Sequence, residues 1–395
     1  MPLAVYVLGL GIFTQGTSEF MLSGLLPGMA ADLGVSIPDA GLLISAFAIG
    51  MVVGAPLLAI ATLSWPRRRA LVALQAVFIG AHVVGALTPG YGLLFATRIV
   101  SALAYAGFWG VAVAAAVSLA PAARTRAVAI VASGLTLATI VGVPAGTVLS
   151  QFSGWRAVFW SVAALTLVSL VCSLLAIRED AGTRDEKTTV RAELLAMARP
   201  QLWLSYVITA FAFGAVIVTF SYLASVLTDV SGLPEQWVPA VLALFGVGGL
   251  TGMTIGGRAA QSHPIRSLTV GLGVLALASA ALAVAAHSAL VTVALVFFLG
   301  VAGYVTNPAL QSRVFALAPG APTLVGAANT AAFNVGNTLA PMLGGVAISA
   351  GFGFASVAWV GAALAAAGLV AAMCAGYLQH RTPSSADTPL ARTNA

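Results

Sequence analysis

Apolar stretches of about twenty residues or more alternate along the whole chain with short loops that carry charge, proline or glycine. A bilayer core about 30 Å thick is crossed by about 20 helical residues. Membrane β-strands would instead alternate apolar and polar residues over short segments. The pattern therefore predicts twelve transmembrane helices, at 3–27, 39–63, 69–88, 91–119, 126–149, 156–177, 201–228, 237–257, 267–287, 289–314, 323–349 and 354–378.

An internal repeat appears when the chain is shifted by 198 residues. Segment 47–54 then meets 245–252 with its phenylalanine and two glycines matched, and Phe13 meets Phe211. Parallel six-helix repeats are typical of two-halved transporters, whose substrate cavity lies between the halves. We therefore predict four regions: an N-terminal six-helix half at 1–177, a cytoplasmic linker at 178–200, a C-terminal six-helix half at 201–378 and a disordered cytoplasmic tail at 379–395.

Composition supports a membrane protein, since charged residues make up 7% of the chain, hydrophobic residues 60%, and the mean hydropathy is +1.03. This excludes a cytosolic enzyme and a disordered chain. The net charge of +6 would suit nucleic acid. However, Lys187 is the one lysine and the arginines are scattered over short loops, so no nucleic-acid partner is expected.

Positive charge is distributed unevenly between the two sides of the membrane. Fifteen lysines and arginines fall on the side of the termini, and only Arg156 falls in the opposite loops. The positive-inside rule then places both termini in the cytoplasm. We expect a multi-pass protein of the cytoplasmic (inner) membrane, embedded in the lipid bilayer as a monomer.

Glu19 is the one acidic residue in the interior of a predicted span, away from its ends. Gln15, Glu19 and Ser23 are four residues apart and form one polar stripe on the first helix. Buried membrane carboxylates usually face a cavity or a partner and have a function. Glu19 is therefore the candidate for loading and releasing a coupling proton, or for recognising substrate. The alternative is a structural carboxylate held by an arginine or a hydroxyl group.

Arg98 is the one arginine in the interior of a span, away from its ends, and it needs a partner because it keeps its charge. Its predicted depth is similar to that of Glu19, so the two could interact directly or through water, and a purely structural pairing is the alternative. His82 and His287 fall near the outer ends of helices, where interfacial packing is expected rather than proton relay.

The other candidates are uncharged polar residues, aromatic residues and helix-shaping residues. Arg67 and Arg68 either set topology or form a cytoplasmic latch, and Pro144 with its glycines kinks a helix and permits close packing. Helix–helix contacts or lipid-facing packing are the alternative for each cavity candidate. The cavity candidates are Gln15, Ser23, Tyr105, Phe211, Phe220, Asn307, Gln311, Asn334 and Asn337, and the conformational candidates are Arg67, Arg68, Gly142, Pro144 and Gly146.

The chain contains no P-loop pattern, so ATP is not the expected energy source. Four scattered histidines and one buried acid supply neither a nucleophile–base pair nor a metal cluster. We therefore expect no enzyme activity, no metal and no cofactor apart from the proton as coupling ion. A passive channel is disfavoured by the two-half repeat.

Several motifs resemble the major facilitator superfamily, and within it the bacterial drug:proton antiporters. Arg98-Ile-Val-Ser-Ala-Leu-Ala is similar to the family's fourth-helix arginine motif, and Gly142-Val-Pro144-Ala-Gly146 is similar to its fifth-helix antiporter motif. The opening Gln15-Gly-Thr-Ser-Glu19-Phe-Met resembles chloramphenicol-resistance exporters and their sugar-efflux relatives. The loop after the second helix departs from the family pattern, since Leu63 stands where an aspartate is usual.

The resemblance implies twelve helices in two pseudo-symmetric halves and proton-coupled export of a small lipophilic antibiotic, chloramphenicol-like, that confers resistance. Glu19 would carry the proton and Arg98 would tune its affinity. The chain lacks the second first-helix acid of some multidrug relatives, so two-proton or dication transport is not expected. The alternative is efflux of a sugar, nucleoside or other small metabolite, which an uncharged amide lining would suit.

Overall fold

The computed structural model describes residues 1–62, 65–177, 199–262, 264–318 and 322–381, and the chain is helical through nearly all of them. Eleven of the described helical segments are long and apolar enough to cross a membrane. The remaining predicted span is the first, Leu3–Phe20, whose polar stripe lowers its hydropathy. This is the all-α membrane architecture that the sequence predicted.

The helices of residues 1–177, called the first half, follow the predicted spans closely. They are α1 Leu3–Phe20, α2 Leu26–Leu33, α3 Ile37–Ala61, α4 Arg67–Leu87, α5 Tyr91–Leu119, α6 Arg124–Leu137, α7 Val143–Ser153 and α8 Trp155–Ala176.

The helices of residues 200–381, called the second half, cover the six remaining predicted spans. They are α9 Pro200–Ser221, α10 Val238–Ser262, α11 Pro264–Ala285, α12 Ala289–Val305, α13 Asn307–Leu317, α14 Pro322–Ala347 and α15 Ser356–Arg381. The last helix ends three residues beyond the predicted limit of 378. The predicted linker (178–198) and the rest of the tail (382–395) lie outside the described residues.

The first membrane helix is not the continuous span that was predicted at 3–27. Its α-helical part ends at Phe20, a 3₁₀ turn follows at Met21–Gly24, and α2 then begins. Pro27 fits the first turn of α2 because its missing N–H would have no partner there. Gly34 ends α2 with φ of 65°, a conformation that glycine adopts without strain.

A second irregularity separates α6 from α7. A π-helical turn at Ala138–Gly142 precedes Pro144. Proline has no N–H for the carbonyl four residues earlier, so a regular helix cannot continue unchanged through it. The chain accommodates the proline with this turn, which lies where the sequence predicted a kink.

The structure repeats one helix contact at the same spacing as the sequence repeat. A Cβ atom at Gly50 on α3 would lie 2.8 Å from the Ile99 carbonyl oxygen on α5. A Cβ atom at Gly248 on α10 would lie 2.4 Å from the Phe297 carbonyl oxygen on α12. Both residues of the second pair follow those of the first by 198 positions. Only glycine permits such close backbone approach between membrane helices.

The two halves contact each other toward one end of the bundle. The end at which α1 begins and α15 ends is called the terminal face, and the other end is called the opposite face. Ser45 donates to the Thr338 carbonyl oxygen at 2.8 Å, and Gln151 Nε2 donates to the Glu235 carbonyl oxygen at 2.6 Å. Both bonds join the halves on the side of the opposite face, and this arrangement, with the halves in contact there, is called closed at the opposite face.

Candidate functional site

Glu19 lies near the end of α1, directly before the break in the first membrane helix, and its side chain is partly buried. Its Oε1 accepts a hydrogen bond from Asn337 Nδ2 at 3.3 Å. Because α14 belongs to the second half, this bond crosses the interface between the halves. The predicted proton carrier therefore contacts both halves of the molecule.

A small cavity adjoins Glu19 at this interface. Its volume is about 10 Å³, which is room for about one water molecule. The lining combines polar groups with aromatic and aliphatic side chains from both halves. The lining residues are Glu19, Phe20, Ser23, Ile44, Phe47, Ala48, Ile217, Phe220, Ser221 and Asn337. The cavity therefore lies between the two halves, with Glu19 in its wall.

Arg98 on α5 is fully buried, as the sequence predicted for an intramembrane arginine. Its Nη1 donates to Ser18 Oγ at 2.7 Å, and its Nη2 donates to the Ser18 carbonyl oxygen at 2.8 Å. Its guanidinium carbon lies 4.3 Å from the centre of the Phe47 ring, within the range of a cation–π interaction. Within the described residues no salt bridge joins Arg98 to Glu19. The two charges instead interact through space.

His82 on α4 belongs to the same polar group, so the prediction of interfacial packing for it is wrong. The residue is 1% exposed, and its Nε2 lies 2.7 Å from Ser18 Oγ. Its Nδ1 lies 2.9 Å from the Phe78 carbonyl oxygen. Hydropathy gave its depth on α4 but not the rotation of α4 about its axis. That rotation turns His82 toward α1 and α5.

A row of amide side chains leads from α13 along α14 toward Glu19. Asn329 Nδ2 donates to Gln311 Oε1 at 3.3 Å, and the Thr209 hydroxyl donates to Asn329 Oδ1 at 3.1 Å. Gln311 is exposed, whereas Asn334 and Asn337 are buried. We call Gln311, Asn329, Asn334 and Asn337 the amide row. Of the predicted cavity residues, Asn307 is half-buried at the start of α13, beside this row.

Several buried polar atoms near Glu19 have no hydrogen-bond partner within the described part of the chain. They include both amide atoms of Gln15, the hydroxyl of Tyr105 and the Oδ1 atoms of Asn334 and Asn337. An unpaired buried polar group costs about 1–3 kcal/mol. Such groups are therefore suited to bind a polar ligand or a water molecule between the halves.

Aromatic side chains from both halves meet beside the small cavity. Phe220 stacks on Phe245 with ring centres 4.5 Å apart, and it meets Phe20 of the first half edge-on at 6.4 Å. Tyr304 packs edge-on against Phe245 at 6.2 Å. Phe245 and Tyr304 were not predicted as site residues, although Phe245 is the repeat partner of Phe47. By contrast, Phe211 packs against Gly368 of α15.

The predicted conformational residues make contacts within the first half. Arg67 donates to the Ser118 hydroxyl, and Arg68 donates to the Leu174 carbonyl oxygen at 2.6 Å. A Cβ atom at Gly142 would lie 2.1 Å from Thr17 Oγ1, and one at Gly146 would lie 3.1 Å from Val158. Pro144 is buried beside them. The two arginines therefore link α4 to α5 and α8. Gly142 allows the π-helical turn to pack closely against α1.

The chain is similar in sequence to known membrane transporters. The chain is 40% identical over 377 residues to the chloramphenicol resistance protein of Streptomyces lividans, covering 94% of this chain and 96% of that protein. It is 36% identical to the inner membrane transport protein YdhP of Escherichia coli strain K12, covering 95% and 96%.

Two solved structures have the same fold. The nucleoside transporter NupG superposes with a TM-score of 0.78 at 14% identity, covering 94% of this chain and 99% of that chain. An inward-facing, unoccupied bacterial homologue of the human lysosomal transporter Spinster superposes with a TM-score of 0.76 at 19% identity, covering 95% and 94%. The family profile of the Major Facilitator Superfamily matches residues 8–341, so the chain belongs to this superfamily of membrane transporters and is not an enzyme.

Proposed function

We propose that the protein is a proton-coupled antiporter that exports a small lipophilic antibiotic, chloramphenicol-like, and thereby confers resistance. It would act as a monomer in the cytoplasmic membrane, with both termini in the cytoplasm and the opposite face outside. The observation that carries this proposal is the position of Glu19. It is a partly buried carboxylate that contacts Asn337 of the other half and lies near the buried charge of Arg98.

Protonation of Glu19 would remove a charge from the interface between the halves. The hydrogen bond from the Asn337 amide is stronger to a carboxylate than to a neutral carboxyl group. Gain or loss of the proton therefore changes how firmly the two halves are held together at this point. In the proposed cycle, Glu19 takes a proton from outside and releases it inside as the halves rock about the site.

The side chains that line the interface are suited to a substrate that carries both aromatic and polar groups. Phe220 and Phe245 offer ring faces, while Asn334 and Asn337 offer amide groups with unpaired oxygens. Apolar walls with a few polar groups are typical of sites for drug-sized molecules. The relative from Streptomyces lividans, which is named for chloramphenicol resistance, makes this antibiotic the first substrate to test.

The test is accumulation of labelled chloramphenicol in energised cells that express the protein, with and without a protonophore. We expect low accumulation that rises when the proton gradient collapses. Cells expressing Glu19→Gln should accumulate the drug as the empty-vector cells do, and Glu235→Gln, an acid exposed at the opposite face, is the matched control. Export by Glu19→Gln against a gradient would refute the coupling role of Glu19.

Efflux of a sugar, nucleoside or other small metabolite is a second candidate function. The amide row supports it, because uncharged amides pair well with the hydroxyl groups of such molecules. Competition between these compounds and chloramphenicol distinguishes the two functions. Strong competition by a sugar or nucleoside, without protection of cells from chloramphenicol, would favour metabolite efflux.

A further inference from the structure

The guanidinium group of Arg98 forms its hydrogen bonds with a neutral residue rather than with an acid. Both hydrogen bonds that involve its terminal nitrogens go to Ser18, one to the hydroxyl and one to the main-chain carbonyl. A fully buried cation without a bonded anion is costly, so its position must be set by the groups around it. Ser18 and the Phe47 ring contact the guanidinium directly, and His82 on the other side of the Ser18 hydroxyl can orient that hydroxyl.

The hydrogen-bond partners of His82 determine where its proton lies. The Phe78 carbonyl oxygen can only accept, so His82 Nδ1 must be the nitrogen that carries the hydrogen. In a neutral imidazole the other nitrogen, Nε2, is then an acceptor. The Ser18 hydroxyl therefore donates to His82 Nε2 and keeps its lone pairs for Arg98. With the hydrogen bonds in this direction, both ring nitrogens of His82, the Ser18 hydroxyl and both terminal nitrogens of Arg98 have a partner.

This arrangement requires a neutral His82. A doubly protonated ring would donate to Ser18, whose hydroxyl would then accept from both His82 and Arg98 and would find no acceptor for its own hydrogen in either group. The ring is fixed by stacking on Phe78, with centres 4.1 Å apart, and by Phe159 at 5.5 Å. The charge facing His82 is that of Arg98.

Ser18 and Glu19 are neighbours on α1 but face different parts of the molecule. Adjacent helical residues do not share a face. Ser18 bonds to α4 and α5, whereas Glu19 bonds to Asn337 on α14. Because Arg98 is hydrogen-bonded to Ser18, it lies on a different side of α1 from the bond between Glu19 and Asn337. The other titratable groups that interact with Glu19 are Tyr105 on α5 and Tyr304 on α12.

We propose that His82 is a positioning residue. By orienting the Ser18 hydroxyl, it holds Arg98 off Glu19 in the state closed at the opposite face and leaves Glu19 able to bind the coupling proton. This inference rests on the proposed function, because it assigns the residue that controls the Glu19 proton site. It predicts that Arg98 moves toward Glu19 when the His82 acceptor is removed.

The test uses the full chain in lipid vesicles, with infrared difference spectroscopy of the Glu19 carboxyl group as a function of pH. The band is assigned by its loss in Glu19→Gln. His82→Phe keeps a ring of similar size without an acceptor, and we expect the proton affinity of Glu19 to fall about tenfold or more, since a nearby cation favours the carboxylate. His82→Gln, whose amide oxygen accepts from Ser18, should remain within about twofold of the native protein.

A second pair of variants tests the same link without altering His82. Ser18→Ala should lower the proton affinity of Glu19 as His82→Phe does, and Ser18→Thr, which keeps the hydroxyl, should not. The inference is overturned if His82→Phe and Ser18→Ala leave the affinity unchanged, or if His82→Gln lowers it as much as His82→Phe does.

These results are separate from those that test the proposed function. If the affinity shifts as expected while Glu19→Gln still exports drug against a gradient, the proposed coupling fails and the positioning role stands. If Glu19→Gln abolishes uphill export and the affinity does not shift in His82→Phe, the positioning role fails and the proposed coupling stands.

Discussion

Glu19 and Asn337 are separated by 318 positions in the chain, yet the Asn337 amide donates to the Glu19 carboxylate at 3.3 Å. The bond joins α1 of the first half to α14 of the second half at a partly buried site. A hydrogen bond that crosses this interface can exist only while the halves are close together there. It therefore links the chemistry of Glu19 to the conformation of the whole transporter.

The first prediction concerns this bond. Asn337→Ala should lower the ratio of molecules closed to molecules open at the opposite face about fivefold, since one hydrogen bond contributes about 1 kcal/mol. The measurement is the distance between spin labels at Phe152 and Trp237, which are exposed at the opposite face of the two halves. Labels are introduced as cysteines after replacement of the free Cys172 and Cys374.

The matched control for this measurement is Asn307→Ala, which alters a half-buried asparagine on α13. It should leave the label distances as they are in the parent protein. Equal distance distributions in the Asn337→Ala and Asn307→Ala variants would contradict the link between Glu19 and closure.

The second prediction concerns the close contact between Gly41 of α3 and Tyr222 of the second half. A Cβ atom at Gly41 would lie 2.4 Å from the Tyr222 hydroxyl oxygen, and that hydroxyl is held by the Pro341 carbonyl oxygen at 2.7 Å. Gly41→Ala should therefore overpack the closed interface at a cost of about 1–3 kcal/mol, which lowers the ratio of closed to open molecules about fivefold or more.

The same spin labels report this shift. Gly28→Ala is the control, because a Cβ atom there would meet nothing within 4 Å. An unchanged label distance in Gly41→Ala, in protein that remains folded, would mean that the Tyr222 contact does not govern closure.

The third prediction concerns packing within the second half. A Cβ atom at Gly252 on α10 would lie 2.2 Å from the Val301 carbonyl oxygen on α12, and backbone cannot move aside as a side chain can. Gly252→Ala should destabilise the protein by about 1–3 kcal/mol. Gly257→Ala, on the same helix with no atom within 4 Å of the added group, should be neutral or slightly stabilising.

Thermal unfolding in detergent, followed by circular dichroism, measures both glycine variants. We expect the apparent Tm of Gly252→Ala to fall and that of Gly257→Ala to stay level or rise. Equal values for the two variants would show that α10 and α12 separate readily enough to absorb the added methyl group.

The helices could be predicted because a membrane span must be long, apolar and helical, and hydropathy along the chain records all three properties. Glu19 and Arg98 could be singled out because charges are so rare inside spans. The break after Phe20 was missed because the apolar run continues through it. The link between Ser18 and His82 was missed because it depends on how α1, α4 and α5 are rotated toward each other, which hydropathy does not record.

The last prediction concerns a cluster at the opposite face, outside the membrane-spanning segments. Asp32 at the end of α2 accepts a hydrogen bond from Arg156 and one from Trp155 Nε1 at 3.1 Å. Arg156 also donates to the Thr88 carbonyl oxygen at 3.2 Å and thereby ties three helix ends together. The Arg156 hydrogen bond, followed by that of Trp155, holds the pKa of Asp32 below its usual range.

A carboxyl group whose pKa is lower in the folded state stabilises that state above its unfolded pKa, which is about 3.9 for aspartate. The contribution is lost as the pH falls through the lower folded value. Because both side chains of the pair are more than one-third exposed, we expect Asp32→Asn to cost only about 0.2–1 kcal/mol at pH 7. The difference in apparent Tm between Asp32→Asn and the native protein should therefore be constant down to about pH 4 and shrink below it. Glu235→Gln, an exposed acid on the same face, is the control, and a difference that persists undiminished at the lowest pH would contradict the ion-pair explanation.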